Sequence, residues 1–370
     1  MGEPQPVSLY IHWPFCLSKC PYCDFNSHVR ETYGEKEWQQ ALCAELRRVR
    51  DWIGPRLLTT IFFGGGTPSL MQPQTVETII SEACKLWFTS PDLEITLEAN
   101  PNSVEVEKFQ QLAQVGVNRI SIGVQSLRPE RLQNLGRKHS VEEAIKAIHT
   151  AQATFKRVSF DLIYATPGHT PDEWQPELEQ ALTFGTEHLS LYQLTIEPNT
   201  AFERLHAQGT LVLPVDDLAA DMYELTNSFC AAQGLQAYEV SNYAKPGAEC
   251  QHNLTYWRYG EYIGVGPGAH GRVAVNGKYL ATKQFRTPER WLKESIRDEE
   301  CLELSADEQE QERVLMGLRT TEGIAWNKPM TNEIQTLINE DFLTHINSKL
   351  TATAKGRLAL QAVLRYGFMD

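Results

Sequence analysis

The sequence predicts an α/β fold: a partial (β/α)6 TIM-like barrel followed by a C-terminal, mainly helical domain. Six short β-type runs lie in the first 200 residues, amphipathic stretches separate them, and helical periodicity returns after residue 305. Strands that alternate with helices form parallel sheets with right-handed crossovers. Because six units are fewer than the eight of a closed barrel, a partial barrel and a doubly wound sheet both fit this pattern.

The predicted strands are short runs rich in β-branched and aromatic residues. In chain order they cover residues 7–13, 59–63, 94–99, 119–124, 158–164 and 188–194. Two helix starts between these runs carry specific signals. Ser140 and Glu143 have the spacing of a capping box, and Thr170 precedes Pro171, a residue favoured at the first helical position. Gly185 predicts the end of the second of these helices.

The pattern divides the chain into three segments. Residues 1–200 would form the partial barrel, residues 201–300 a linker or extension, and residues 301–370 a small helical domain. The middle segment contains one strong helical stretch and is otherwise rich in Gly, Tyr and His.

Composition narrows the possible function classes. The 370 residues have a formal net charge of −13, and an acidic chain repels phosphate, which argues against nucleic acid as a partner. No run of about 18 apolar residues is present, so we expect no transmembrane helix. The eight cysteines lack the spacing of a secreted disulfide framework, which favours a reducing, cytoplasmic location.

Three cysteines follow the first predicted strand within eight residues. Cys16, Cys20 and Cys23 have the spacing C-x3-C-x2-C. A structural zinc ion takes four ligands, and His12 or His28 could supply the fourth. An iron–sulfur cluster with only three cysteine ligands would instead leave one iron open for chemistry. The spacing alone leaves both kinds of site open.

Glycines and polar residues follow the later strands. The run Gly64–Gly66 comes directly after the second predicted strand and would allow backbone to approach a ligand closely. Glu98, Gln125 and Asp161 stand at the ends of three further strands, and Arg137 lies in a loop. The ends of parallel strands meet at one edge of a sheet, where such groups could bind a polar, zwitterionic cofactor.

Together these motifs resemble a known family. The cysteine spacing after the first strand and GGTP after the second are similar to the radical S-adenosylmethionine (SAM) superfamily. More narrowly, CPYCDF, GGGTPSL, EANP, ISIGVQS, LGR and DLIYATPG resemble the oxygen-independent coproporphyrinogen III dehydrogenase family, and within it the HemW-type haem chaperones. The resemblance is strongest over residues 8–170 and 239–271.

The resemblance implies a set of cofactor ligands. Cys16, Cys20 and Cys23 would hold three irons of a [4Fe–4S] cluster, and SAM would bind the fourth through its amino and carboxylate groups. The residues that would line the SAM site are Tyr10, Gly65, Gly66, Thr67, Glu98, Gln125, Arg137 and Asp161. Within it, Arg137 would contact the SAM carboxylate and Asp161 the ribose hydroxyls.

Two departures favour the chaperone branch over the dehydrogenase branch. The dehydrogenase branch carries the pattern C-x3-C-x2-C-x-C, whereas Phe25 stands at the position of its fourth cysteine here. Only nine residues precede Tyr10, where that branch has an extended N-terminal arm. The segment from Cys250 to Gly271 also contains His252-Asn-x-x-Tyr-Trp, which is similar to the HNxxYW motif of the haem chaperones.

The resemblance implies that His252 contacts haem, because an imidazole can bind haem iron. Cys250 and His270 are alternative ligands, and Arg258 and Arg272 are candidate partners for the haem propionates. A purely structural His in a packed loop is the competing interpretation.

Three functions remain as hypotheses. The favoured one is a haem chaperone that binds a [4Fe–4S] cluster, SAM and haem, and passes haem to acceptor proteins. The alternative is an oxygen-independent coproporphyrinogen III dehydrogenase, and a zinc or redox scaffold without SAM comes third.

Overall fold

The computed structural model describes residues 4–369. Its strands are β1 (Pro6–Trp13), β2 (Phe15–Cys16), β3 (His28–Val29), β4 (Leu57–Gly65), β5 (Phe88–Ala99), β6 (Arg119–Gln125), β7 (Arg157–Tyr164), β8 (His188–Gln193), β9 (Gln236–Ala237), β10 (Asn242–Ala244), β11 (Tyr262–Val265), β12 (His270–Val275), β13 (Lys278–Gln284), β14 (Asp298–Glu303), β15 (Ile324–Ala325), β16 (Leu343–Ile346) and β17 (Lys349–Ala352).

The helices are α1 (Glu35–Ile53), α2 (Pro73–Leu86), α3 (Ser103–Val106), α4 (Phe109–Gln114), α5 (Pro129–Asn134), α6 (Val141–Thr154), α7 (Pro171–Thr183), α8 (Ala201–Ala207), α9 (Asp216–Ala232), α10 (Gln251–Trp257), α11 (Pro288–Lys293), α12 (Ala306–Gly317), α13 (Asn332–Asn339), α14 (Ala354–Leu358) and α15 (Leu360–Phe368). None of them combines the length and apolarity needed to cross a bilayer.

The six predicted strands form the parallel centre of one large sheet. β1 pairs with β4, and β4 to β8 then pair in succession, all in parallel. The complete order is β14-β13-β12-β11-β1-β4-β5-β6-β7-β8-β10-β9. The prediction of a partial barrel is therefore confirmed, and the parallel strands place their carboxyl ends at one edge.

The segment predicted as a linker or extension adds strands at both ends of this sheet. β11 pairs in parallel with β1, and β12 to β14 continue the sheet in antiparallel fashion. β12 and β13 are joined at Asn276 and Gly277, which both have positive φ. An Asn-Gly pair between alternating residues is a strong hairpin signal, and it was available in the sequence.

Side chains of the parallel strands alternate between two environments, because successive residues of a strand face opposite ways. In β1, Val7, Leu9 and Ile11 belong to the main hydrophobic core shared with the surrounding helices. Tyr10 and His12 on the opposite face line a cavity inside the barrel. Because the interior of the barrel is polar, apolar and polar residues alternate along the strand sequences.

The predicted helix signals hold. Ser140 accepts a hydrogen bond from the backbone of Glu143 at the start of α6, and a capping box at Thr170 starts α7. Gly185 has positive φ just after α7 ends. These local signals fix where two crossover helices begin and therefore how long the loops above the sheet are.

The C-terminal residues have a hydrophobic cluster of their own, built from side chains between Val314 and Leu364. It contains the predicted helices and also a small antiparallel sheet of order β15-β17-β16 that the sequence pattern did not reveal. Its strands have two to four residues, too few for a periodic signal.

Candidate functional site

A cavity of about 900 Å³ lies at the carboxyl ends of the parallel strands. Ten of the residues predicted to bind cofactors line it: Cys16, Cys20, Cys23, Gly65, Gly66, Thr67, Glu98, Gln125, Arg137 and Asp161. They come from segments that are far apart in sequence and meet because their strands are neighbours. The structure therefore brings together the cysteine, glycine and strand-end motifs, while Tyr10 lines a neighbouring cavity and His252 lies elsewhere.

The three cysteines are free thiols on the wall of this cavity. Thr67 donates a hydrogen bond to the sulfur of Cys16 at 3.3 Å, and Arg137 donates one to the sulfur of Cys20 at 3.4 Å. Burial raises the pKa of Cys16 to about 11. A bound cation or cluster would be needed to hold this thiol as the thiolate.

The two histidines considered as a fourth ligand are engaged elsewhere. His12 contacts the Tyr10 hydroxyl through Nδ1 at 3.0 Å and the Asn26 carbonyl oxygen through Nε2 at 2.9 Å. His28 contacts the side chain of Asn26 at 3.3 Å. Among residues 4–369, no set of three or more His, Cys, Asp or Glu side chains is arranged to hold a single metal ion.

The glycine run lies tightly against the cysteine segment. A Cβ atom on Gly66 would be 2.6 Å from the carbonyl oxygen of Phe15, and Gly65 has a φ of +111°. The Gly66 amide donates to Trp13 and the Thr67 amide donates to Phe15. These glycines are required by the close approach of two protein segments, which packs the cysteine segment against β4.

Two carboxyl groups lie deep in the cavity. Burial, followed by the charge of Asp161, raises the pKa of Glu98 to about 8, and the Gly65 amide donates to Glu98 at 3.2 Å. Burial also raises the pKa of Asp161 to about 6, although Ser121 donates to it at 3.2 Å. Two half-buried acids with few partners favour a cationic or hydroxyl-bearing ligand, which would stabilise their charged forms.

Arg137 is a half-buried cation of the same cavity. Its Nη2 atom donates to the Asn100 side chain at 2.6 Å and to the Gly123 carbonyl at 2.7 Å, while Nε is buried without a partner. No carboxylate within the described part of the chain forms an ion pair with Arg137. A ligand carboxylate would satisfy this guanidinium, which is the arrangement that a zwitterionic cofactor needs.

Residues that sequence reasoning missed complete the cavity. Asn100 orients Arg137 and also donates to Thr67 at 3.1 Å, while Tyr22 and Tyr192 add aromatic surface. Asn100 directly follows β5, so its position at a strand end was a usable signal. The roles of the tyrosines depend on loops and register that the sequence does not reveal.

A second cavity, of about 470 Å³, adjoins the first. Its lining residues are Tyr10, His12, Asp24, Phe25, Asn26, Gly65, Glu98, Gly268, His270, Lys283 and Arg286. Asp24, Phe25, Gly65 and Glu98 line both cavities, so the two spaces share a wall.

His252 lies at the opposite end of the barrel, where α10 covers the amino-terminal ends of the strands. Its side chain is buried: Nδ1 contacts the Thr60 hydroxyl at 2.7 Å, Nε2 contacts the Tyr256 hydroxyl at 2.7 Å, and the ring stacks on Phe62. Burial lowers the pKa of His252 to about 3. Both ring nitrogens are occupied, so haem binding by His252 stays a prediction that requires these contacts to open.

Three other residues suggested near the HNxxYW motif are also paired. Cys250 is buried and donates to Glu94 at 3.5 Å. Arg258 forms an ion pair with Glu322 of the C-terminal region, and Arg272 forms one with Glu312 at 2.7 Å. These two arginines join the barrel to the C-terminal region.

The donor set of the larger cavity fits a cluster and a zwitterionic cofactor. One space brings together three thiols, two acids that form no ion pair, and a guanidinium with one buried N–H that has no partner. They match the three needs of such a pair: thiolate ligands for iron, a cation for a carboxylate, and acids for ammonium and hydroxyl groups.

Comparison with known proteins agrees with this geometry. The radical SAM superfamily matches residues 10–181. Heme chaperone HemW of Escherichia coli is 39% identical over 376 aligned positions, which cover 98% of this chain and 98% of that protein. The mouse protein "Radical S-adenosyl methionine domain-containing protein 1, mitochondrial" is 39% identical over 327 positions, covering 86% of this chain and 74% of its own length.

A solved structure shares the fold. Coproporphyrinogen III oxidase (HemN) from Escherichia coli superposes with a TM-score of 0.80 over 98% of this chain and 89% of that chain, at 21% identity. The bacterial relative, which matches from end to end, identifies the family more narrowly than this shared fold does. The chain therefore belongs to the HemW family within the radical SAM superfamily, and membership implies a [4Fe–4S] cluster and SAM as cofactors.

Proposed function

We propose that this protein is a haem chaperone, which binds haem and transfers it to haem-requiring acceptor proteins. The observation that carries the proposal is the 39% identity to a protein named Heme chaperone HemW along 98% of both chains.

The larger cavity is the proposed cofactor site. Cys16, Cys20 and Cys23 would hold the cluster, Arg137 the SAM carboxylate, and Asp161 the ribose hydroxyls. Gly65, Gly66, Thr67, Glu98, Gln125 and Tyr10 would complete the SAM site. When bound, the cluster and SAM supply one-electron chemistry, while the protein binds, orients and shields them.

Phe25 favours the chaperone over the dehydrogenase alternative. It stands where the dehydrogenases carry a further cysteine, and its ring is 59% exposed at the wall shared by both cavities. An apolar ring cannot take the part of a thiol in redox or proton chemistry. It does offer a flat surface for a macrocycle.

A cytoplasmic location is part of the proposal. All eight cysteines are free, including the three thiols that would hold the cluster. Free, cluster-binding thiols persist in a reducing compartment.

The test uses protein reconstituted anaerobically with its cluster. We expect stoichiometric binding of hemin, followed by its transfer to the apo-form of a haem enzyme faster than from free hemin at the same concentration. Coproporphyrinogen III incubated with SAM and a reductant should not be converted. Measurable conversion would instead support the dehydrogenase, and absence of hemin binding would refute the chaperone.

A further inference from the structure

We infer that haem occupies the smaller cavity, with the imidazole of His270 as the ligand of its iron and Arg286 as the partner of a propionate. The inference rests on the proposed function, because it names the place where a haem chaperone would hold its cargo.

The first argument is the availability of donor atoms. His252 uses both ring nitrogens for protein hydrogen bonds and is buried, and the buried Cys250 thiol donates a hydrogen bond to Glu94. His270 is exposed on the wall of the smaller cavity, and neither of its ring nitrogens has a hydrogen-bond partner in residues 4–369. Of the three donors, only His270 can reach an incoming iron without rearrangement of the protein.

The protonation state of His270 is compatible with this role. Although the side chain is exposed, protein atoms around the ring partly desolvate it; this desolvation, followed by the charge of Arg272, lowers its pKa, and Lys283 and Arg286 act in the same direction while Glu300 opposes them. A neutral imidazole has the free lone pair that a metal requires.

The second argument is charge. Arg286 and Lys283 line the same cavity as His270. Lys283 is already paired with Glu299 and Glu300, whereas Arg286 is exposed and has no ion pair within the described part of the chain. A free guanidinium binds a carboxylate through two parallel hydrogen bonds. Asp24 and Glu98 are the acids at this cavity. Asp24 is exposed, where solvent and salt screen it, and burial raises the pKa of Glu98 to about 8, which favours its neutral form.

The third argument is shape and surface. A volume of about 470 Å³ is within the ordinary range for small-molecule sites. Phe25 is 59% exposed at the wall of this cavity, and stacking on a macrocycle would cover this ring. An opening toward solvent would leave one edge of the haem accessible, as transfer to an acceptor requires.

The test compares hemin binding by cluster-loaded wild type and variants, with iron–sulfur content and SAM binding measured in each. We expect His270→Ala to shift the Soret band and to weaken hemin binding at least about tenfold. Because the side chain is exposed, this variant should fold. His149→Ala removes an exposed histidine on α6 and serves as the matched control, with wild-type binding expected.

Arg286→Ala should weaken hemin binding about tenfold and leave the Soret band unchanged. With hemin dimethyl ester, whose carboxylates are blocked, wild type and Arg286→Ala should bind equally. Wild-type spectra and affinity in His270→Ala would overturn the inference while leaving the chaperone proposal standing. Failure of wild type to bind hemin at all would refute the proposed function itself.

Discussion

At the carboxyl ends of the parallel strands, Glu98 faces an open cavity and accepts one backbone hydrogen bond, from Gly65. At the opposite end, Glu94 accepts hydrogen bonds from the backbone of Gln251 and His252 and lies 3.8 Å from Arg119. Both acids belong to β5. Glu98 can still accept hydrogen bonds from a ligand, whereas Glu94 accepts the hydrogen bonds that hold α10 over the barrel.

This contrast distinguishes two roles of polar residues inside a barrel, ligand binding and structural support. The Nε atom of Arg137 is buried without a partner, and burial raises the pKa of Asp161; a bound cofactor would relieve both conditions. The His252 ring forms hydrogen bonds with both Tyr256 and Thr60, which is typical of residues with a structural role. We call this end of the barrel, covered by α10, the sealed end, and the end with the cysteines the open end. Residue type and motif alone do not distinguish these cases, whereas the partners that the fold gives to each polar atom do.

The largest expected effect concerns the open end. Cys20→Ala should abolish the [4Fe–4S] cluster, so that iron content falls from about four per chain and absorption near roughly 400 nm disappears after anaerobic reconstitution. Cys250→Ala, at the sealed end, should keep wild-type iron per folded protein. Iron retained by Cys20→Ala, or zinc in the wild type, would contradict the cluster assignment.

A mutation at the sealed end should lower the stability of the fold. His252→Ala removes a buried ring and leaves Thr60 and Tyr256 without their shared partner, so we expect a loss of about 2–4 kcal/mol in the free energy of unfolding. Denaturant unfolding of the apo-protein measures it. A change below about 0.5 kcal/mol would show that the seal is not structural.

A smaller effect is expected in SAM affinity. Arg137→Ala and Asp161→Asn should each weaken SAM binding by about 1–3 kcal/mol, because each loses a charge-assisted contact. Iron content should remain that of wild type, since neither residue is a proposed cluster ligand. Calorimetric titration of cluster-loaded protein tests this, and unchanged affinity in both variants would remove them from the site.

The smallest effect is a pH dependence. The pKa of Glu98 is raised to about 8 in the folded protein, so the neutral acid is favoured and its contribution to stability is lost as pH rises from about 4.5 through 8. Removing the titration in Glu98→Gln should reduce the fall in apo-protein stability between pH 5 and 8 by about 1–2 kcal/mol, since water in an open cavity moderates the burial cost. Identical pH profiles for variant and wild type would show that the Glu98 carboxyl is well hydrated.

Local signals in the sequence were sufficient for the parallel sheet and for the larger cavity. Strand residues such as Val7 and Leu9 alternate with polar ones, and capping residues such as Ser140 act within a few positions. The cysteines and Glu98 each follow or end a strand, so sheet topology alone brings them to one edge. The residue-by-residue roles of this set remain predictions.

Contacts between distant segments escaped sequence reasoning. His252 lies far from the cysteines, because β11 returns to pair with β1 and leaves α10 at the far end of the barrel. The sequence did not reveal this separation. The partners of Arg258 and Arg272 are 64 and 40 residues away. Proximity in sequence therefore suggested propionate partners where the fold has ion pairs between regions.

The position of β14 at one end of the sheet also has a consequence for how the molecule behaves among its copies. An unpaired strand invites a neighbouring chain to add to it. The solvent-exposed β14 carries Asp298, Glu299, Glu300 and Glu303 within six residues. These acids pair with Arg48, Lys278 and Lys283 of the same chain, and a strand added from another copy would bury such charged groups, so the long sheet ends in an edge that disfavours aggregation.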